Sequence, residues 1–368
     1  MRLPGILILL VIASSVVEAR GGPTPLNSRD NDRKLAVARG LEYLARTQKV
    51  DGSWGQTRSG VVGITSLSLL AFLAQGHQVD RGLYGDELRK GVRFLLKQSL
   101  PPSPRSKDRR QSGVRGYPTG YIYAHGDADS RMHGHAYATQ VLILAFGTVP
   151  ARDRLHGELK QKIKDAVWVI QYAQQLTGGW GYLPNPATFH EGSVTVTAVQ
   201  ALRLAVGAGF VVDKEVHRMG LKYLHDSQKK SGSFKYALHE NRSSAALTAA
   251  ALCALNGFGE YYTEAVRAGL EYLRESYRRQ PERIQWTFYA NYYAAQAFYR
   301  AGGDDWNLWL RNGIPYVLRL QLKRGTTPGA WNDHGLTTSP KTHGRAYATA
   351  MSCLALSVQD GYLPLFQR

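Results

Sequence analysis

The stretch Ala245-Ala246-Leu247-Thr248-Ala249-Ala250-Ala251-Leu252-Cys253-Ala254-Leu255 contains only Ala, Leu, Thr and Cys. Alanine and leucine are strong helix formers, and a helix apolar on every side is buried on every side. Its small side chains let neighbouring backbones approach closely. A helix of another kind precedes it, Gly220-Leu221-Lys222-Tyr223-Leu224-His225-Asp226-Ser227-Gln228. That pattern returns as Gly40-Leu41-Glu42-Tyr43-Leu44-Ala45-Arg46-Thr47-Gln48 and as Gly269-Leu270-Glu271-Tyr272-Leu273-Arg274-Glu275-Ser276-Tyr277. Looser copies begin at Gly91, Ala166 and Gly313. In the first copy Val37, Leu41 and Leu44 fall at helical spacing with charges between them, the mark of a helix wet on one face.

The six starts lie 44 to 54 residues apart, except for one gap of 75. Periods of this size mean an array of two-helix units, and the long gap marks an insertion near 99–131. Each unit pairs a half-wet outer helix with a dry inner one. An open solenoid leaves the inner helices exposed on its concave side, and they lack the polar face for that. The pattern therefore predicts an all-α fold, an α/α toroid of about six outer/inner helix pairs, as a single domain over 34–368. Hydrophobic residues make up 43% of the 368, enough for so large a core.

Between the halves runs a turn motif, Gln48-x-x-x-Gly52-x-Trp54, then Gln174-x-x-x-Gly178-x-Trp180 and Gln228-x-x-x-Gly232-x-Phe234. A stretched copy has Gln321 followed by Gly329-Ala330-Trp331. Glycine after a helix can take the left-handed geometry that closes it. The glutamine amide can then bond free backbone groups of the loop while the aromatic covers the turn.

These turns resemble the glutamine–tryptophan repeats of the prenyltransferase and squalene–hopene cyclase family, and the resemblance covers roughly residues 34–360. It implies the toroid fold and points to a divergent exported bacterial member. Two chemistries of that family are missing from the sequence. Squalene–hopene cyclases carry an Asp-x-Asp-Asp acid directly before a threonine at an inner-helix start, because protonating an alkene demands a strong, dry acid. Here the residues before Thr139, Thr197 and Thr349 carry no acid, and Asp127-Ala128-Asp129-Ser130 lies further upstream. Protein prenyltransferases hold zinc with Asp, Cys and His; the matching histidine position reads Ala348, and no Asp-x-Cys pair exists.

The outer-to-inner loops should all emerge at one mouth of the barrel. They hold seven of the eleven histidines: His125, His133, His135, His190, His239, His334 and His343. The acids Asp127, Asp129, Glu191, Glu240 and Asp333 accompany them. Two inner-helix starts are near duplicates, His133-Gly134-His135-Ala136-Tyr137-Ala138-Thr139 and His343-Gly344-Arg345-Ala346-Tyr347-Ala348-Thr349. A helix N-terminus suits an anion, so His133, His135, His343 and Arg345 are candidate ligand-binding residues. The alternative is that His and Thr cap the helices and the tyrosines pack. The candidate catalytic residues are Asp127, Asp129, Tyr137 and Tyr347. Trp286 and Tyr289, in the aromatic fifth repeat, are candidates to hold a ring or a cation. The spacing from His125 to His135 matches no zinc pattern, so no metal and no cofactor is expected.

Arg2, an apolar run from Ile6 to Ile12, and Val17-Glu18-Ala19 read as a signal peptide over 1–19 cleaved near Ala19, with a flexible lead-in over 20–33. The protein is expected to be secreted or periplasmic, without a spanning segment. Cys253 and Cys353 read as buried core thiols. The net charge of +18 favours anionic partners, and export argues against nucleic acid. Arg105 to Arg115 forms the densest basic run, in a Pro/Ser-rich loop.

The functional expectation is a toroid without the usual catalytic motifs that binds a hydrophobic or anionic envelope ligand. A divergent isoprenoid enzyme using Asp127 or Asp129 is one alternative. A lyase acting on anionic glycans through His133, His135, Tyr137, His343, Arg345 and Tyr347 is another.

Overall fold

The computed structural model describes residues 28–55, 60–104, 108–114, 116–186, 189–333, 336 and 343–367. The expected signal peptide, and the lead-in as far as residue 27, lie outside the described residues. So do Arg105 and Arg115 of the basic run, and His334. Outer and inner helices alternate along the chain: α1 (Ser28–Thr47), α2 (Val61–Leu73), α3 (Gly85–Gln98), α4 (Arg131–Thr148), α5 (Arg154–Tyr172), α6 (Gly192–Gly207), α7 (Lys214–Ser227), α8 (Ala245–Gly257), α9 (Glu264–Arg279), α10 (Thr287–Ala301), α11 (Gly303–Leu308), α12 (Ile314–Arg319) and α13 (Arg345–Ser357). A π-helical turn, Trp309–Gly313, joins α11 to α12, and the two together form the sixth outer element. Each of the six inner helices packs on both inner neighbours, and α13 packs on α2 to close the ring. The all-α toroid with six outer/inner pairs is thus the observed fold.

The dryness read from the sequence explains the arrangement. In α8 the residues from Ala246 to Asn256 are buried all round, Leu247 excepted, which only a ring of inner helices inside a ring of outer ones permits. Cys253 and Cys353 are free buried thiols in this wall. Burial pushes the Cys253 thiol up to about 12.

The turn motif is the fastener between units. The Gln48 amide donates to Gly52 O at 3.0 Å and to Glu87 O of α3 at 2.9 Å. Gln174 repeats this with Gly178 and Val216 of α7, and Gln228 with Gly232 and Ala265 of α9. Gln321 bonds Gly329 and, across the closure, Ala36 of α1. The aromatic backbone N–H of each turn donates to an inner-helix threonine: Trp54 to Thr65, Trp180 to Thr195, Phe234 to Thr248 and Trp331 to Thr349. The motif therefore clasps its own turn, the next outer helix and the adjoining inner helix.

Helix α1 begins inside the stretch read as a flexible lead-in, which corrects the boundary at 33. Arg33 is the reason: it is 2% exposed and donates twice to Asp360 at 2.8 Å, to Leu356 O at 2.6 Å and to Asp30 at 2.9 Å. Gln75 of the α2 end completes the network on Asp360. Asp30 and Arg33 are therefore part of the ring closure.

The insertion leaves the ring as an irregular excursion held by isolated bridges, Ser99 with Ile122, Pro102 with Ser112 and Gln111 with Pro118. Of its basic run, Arg110 lies over the Trp168 ring of α5 at 4.3 Å and near Asp165. It braces the outer wall.

Candidate functional site

The N-terminal turns of all six inner helices surround one cavity of about 520 Å³. Gly60 and Ile64 come from the start of α2, Arg131 and His133 from α4, Ser193 from α6, Ser244 and Leu247 from α8, Trp286 and Tyr289 from α10, and His343 and Tyr347 from α13. The outer-to-inner loops therefore share one mouth, as the alternation of helices requires. Asp129, Tyr137, His133, His343, Tyr347, Trp286 and Tyr289 all reach this lining. His135, Asp127 and Arg345 do not.

Each of those three has a physical reason. The buried His135 ring accepts from Ile122 N–H through Nδ1 at 3.0 Å, and its Nε2 lies 3.1 Å from Ala166 O. The pairing fixes the neutral Nε2–H tautomer and makes His135 a pin between the insertion and α5. Asp127 is 3% exposed and accepts from the backbone N–H groups of Val62, Asp129 and Ser130, so it caps the start of α2. Arg345 is exposed on the first turn of α13 and outside the cavity wall.

Asp127 is one of three buried acids with this task. Glu191 accepts from Ser193 N–H and Val194 N–H at 2.8 Å and caps α6. Asp333, 1% exposed, accepts from His343 N–H and Gly344 N–H before α13. A carboxylate at a helix N-terminus satisfies orphan donors and meets the positive end of the helix dipole. That accounts for most of the acids gathered at the mouth loops, and it leaves Asp129 as the one carboxylate on the lining among the described residues.

Two groups on the wall, His133 and Ser193, form a tight triangle with Glu191 buried behind them. Ser193 Oγ donates to Glu191 at 2.7 Å, and His133 Nε2 lies 3.2 Å from Ser193 Oγ and 3.4 Å from Glu191 Oε1. The serine hydroxyl donates to the carboxylate, so both atoms facing His133 Nε2 are acceptors and suit the Nε2–H form, while the ring lies against Tyr182.

The aromatic wall holds two residues that composition did not single out. Tyr182 and Tyr236 share a hydrogen bond between hydroxyls at 2.6 Å. Arg131 lies 5.5 Å over the Tyr182 ring and Arg242 lies 4.1 Å over the Tyr236 ring. Two guanidiniums are thus set on one tyrosine pair at the cavity edge. Arg131 has φ of 45° and Trp286 has φ of 57°, in the left-handed region that costs a residue with a Cβ roughly 1–2 kcal/mol. Two of the three non-glycine residues in that region, among the described residues, line this cavity; such strain gathers at functional sites. Deeper in, Tyr137 and Tyr293 share a hydroxyl hydrogen bond at 3.0 Å. Burial pushes Tyr137 and Tyr347 well above the ordinary tyrosine range.

Arg131 and Arg242 escaped the sequence reading because they are 111 positions apart and each stands alone among polar loop residues. A usable signal existed: both stand within three residues of an inner-helix start, where side chains face the mouth. Glu191 was seen only as a mouth acid, and its role was hidden by a register ambiguity. In Val194-Thr195-Val196-Thr197 either threonine fits the pattern, and the structure selects Thr195. Glu191 then stands four residues before it.

His135 yields a test of the fold around the site. Burial pushes its pKa down from 6.5 to about 4. Native His135 stays neutral while the unfolded chain takes up a proton below about 6.5, so stability is full above that pH. It falls as the pH drops toward 4, by roughly 3 kcal/mol in all. Urea unfolding at pH 7.5 and 4.5 should show this loss in the wild type. A His135→Asn variant, less stable at pH 7.5, should lose less by roughly that amount; an equal loss contradicts the assignment.

No protein-family model and no curated protein matches the sequence. The fold defines the chain as an α/α toroid, similar to solved structures with three chemistries. Cellobiose 2-epimerase from Bacillus thermoamylovorans superposes with a TM-score of 0.63 at 13% identity, over 91% of this chain and 100% of that one. A variant of the type II terpene cyclase MstE from Scytonema, in complex with geranylgeranyl dihydroxybenzoate, gives 0.59 at 11% identity over 91% and 99%. Candida albicans protein geranylgeranyltransferase-I complexed with GGPP gives 0.56 at 12% over 90% and 95%. At these identities the likeness is one of fold.

Proposed function

We propose that the mouth cavity binds an amphipathic anion, its hydrophobic body among Tyr137, Tyr289, Tyr347 and Met351 and its anionic head at Arg131 and Arg242. The observation that carries this reading is the pair of guanidiniums fixed over Tyr182 and Tyr236 at the edge of the aromatic cavity. Arginine suits a carboxylate or phosphate because its planar fork can donate two parallel hydrogen bonds. A second hollow of about 300 Å³ adjoins the first through Ser244, Ala246 and Gln285 and adds Arg279 and Arg283, which extends the cationic edge. Geranylgeranyl ligands occupy two of the similar toroids, and a chain of that class suits an apolar wall of this size.

The alternatives lose several of their key groups. A glycan lyase needs a Tyr or His base and a cation against the uronate; burial disfavours the tyrosinate of Tyr137 and Tyr347, His133 is engaged by Ser193 and Glu191, and Arg345 stands outside the wall. An isoprenoid enzyme built on Asp127 loses that acid to the cap of α2, and Asp129 on the lining is left without the acid neighbours of an Asp-x-Asp-Asp motif. Binding is therefore the reading adopted. Export, with cleavage near Ala19, remains part of the proposal.

The test is a titration of the intrinsic tryptophan fluorescence, to which half-exposed Trp286 contributes, with a C20 isoprenyl phosphate, the matching alcohol and an oligouronate. Charge-assisted hydrogen bonds are worth about 1.5–3 kcal/mol, discounted here because both arginines are exposed. The phosphate should bind about tenfold tighter than the alcohol, and Arg131→Ala with Arg242→Ala should abolish the difference. Equal affinities in the wild type, or binding of the oligouronate alone, contradict the reading.

A further inference from the structure

The turn tips around the mouth carry side chains that neither the ring nor the cavity uses. Each tip is the second residue after the turn glutamine. In the first and third units it is Val50 and Leu176, which are 103% and 96% exposed. In the fourth and sixth it is Lys230 and Lys323, both exposed, with Arg324 beside Lys323. The glutamine bonds its turn glycine in all four turns, so the tips stand around one rim, Val50, Leu176 and Lys230 at equivalent places and Lys323 on the longer sixth turn. Val and Leu held fully in water at a fixed, projecting position gain nothing for the fold.

We propose that this mouth face docks the protein on an anionic lipid surface, the aliphatic tips entering the interface and the lysine tips meeting headgroups. The sign of the charge selects both face and partner. Around the mouth the exposed charges are mainly basic, with Arg242, Arg278, Arg279 and Arg283 outnumbering the exposed acids Asp51 and Glu282. The opposite end also exposes apolar residues, Leu83, Val211, Tyr262 and Tyr362, but its inner-to-outer loops mix the acids Asp80, Asp213, Glu260 and Asp360 with Arg81, Arg152 and Lys214. A negative membrane surface therefore favours the first end over the second. Apolar tips among the cations favour lipid over a soluble polyanion, which offers them nothing to enter. Among the described residues no helix is long and apolar enough to cross a membrane, and the proposed contact lies in the interface plane. The cavity opens on the same face, which gives an amphipathic ligand a short path from lipid to protein. The docking face stands on the tips and not on the cavity's ligand.

The test is flotation of the full mature chain with vesicles of phosphatidylcholine alone and with ~30% phosphatidylglycerol, a composition chosen for a roughly half-saturated wild type. The wild type should float with the anionic vesicles and not with the neutral ones. Lys230→Glu with Lys323→Glu should weaken binding by about tenfold or more, since each basic residue near such a surface is worth roughly fivefold. Val50→Asp with Leu176→Asp should do the same, and Leu83→Asp with Tyr262→Asp should have no effect. All these sites are exposed, and retained quenching by the C20 phosphate would show that each variant keeps its cavity. Equal binding to neutral vesicles, or loss caused by the opposite-end pair, overturns the proposal. So does wild-type behaviour of the Val50/Leu176 pair, an outcome that would make the face a polyanion site if dextran sulfate binds it.

Discussion

Replacing Arg33 by methionine should lower the unfolding free energy by about 3–5 kcal/mol, the cost of stranding one partner of a buried ion pair. Asp360 is left with Gln75, Leu356 O loses its donor, and Asp30 loses one of its two cations. Asp360 is 15% exposed, so water offsets part of the loss and the lower end of that range applies. The closure of the ring between α1, α13 and α2 depends on this network. Arg33→Met with Asp360→Leu should recover much of the stability, because no uncompensated charge remains. Urea denaturation of both variants measures the coupling. The exposed pair of Arg218 with Glu215 should show no comparable coupling. An Arg33→Met variant as stable as the wild type would mean that the ring closes without this guanidinium.

Gly178→Ala should cost about 2–5 kcal/mol, while Gly209→Ala should cost about 1 kcal/mol. The two glycines have nearly the same backbone, with φ of 89° and 82°, so both changes carry the same penalty for a left-handed alanine. They differ in surroundings. A Cβ at Gly178 would overlap the Met219 carbonyl of α7, whereas one at Gly209 meets nothing within 4 Å. The same overlap recurs at Gly52 with Lys90, Gly232 with Ala268 and Gly329 with Arg39. The turn glycine is therefore the point where each unit's turn presses on the next outer helix. Thermal or urea unfolding of the two variants side by side separates backbone strain from this contact. Equal losses would show that the contact adds nothing.

These two cases show what the sequence made legible. The inner helices could be read because Ala245 to Leu255 has no face for water, and ring closure follows from that alone. The turns could be read because Gln, Gly and Trp recur at a fixed spacing, and each does the task its chemistry allows. The site was legible by place more than by role. Tyr137, Tyr289, Trp286, His133, His343, Tyr347 and Asp129 reach one cavity because all stand at or near inner-helix starts. His135 was misplaced because a histidine two positions on from His133 points elsewhere on a helix, toward Ile122 and Ala166. Asp127 and Arg345 show the same limit, since residue type does not say whether a side chain caps a helix or faces a hollow. The tyrosine pair and its arginines come from separate loops, and no local pattern links residues 131, 182, 236 and 242.

The central claim, that the mouth cavity is a ligand site for an amphipathic anion, is tested most directly by a crystal structure with a C20 isoprenyl phosphate. The predicted result is the phosphate between Arg131 and Arg242, with the chain running inward against Tyr137 and Tyr289. A chain bound elsewhere, or an empty cavity under saturating ligand, would contradict it.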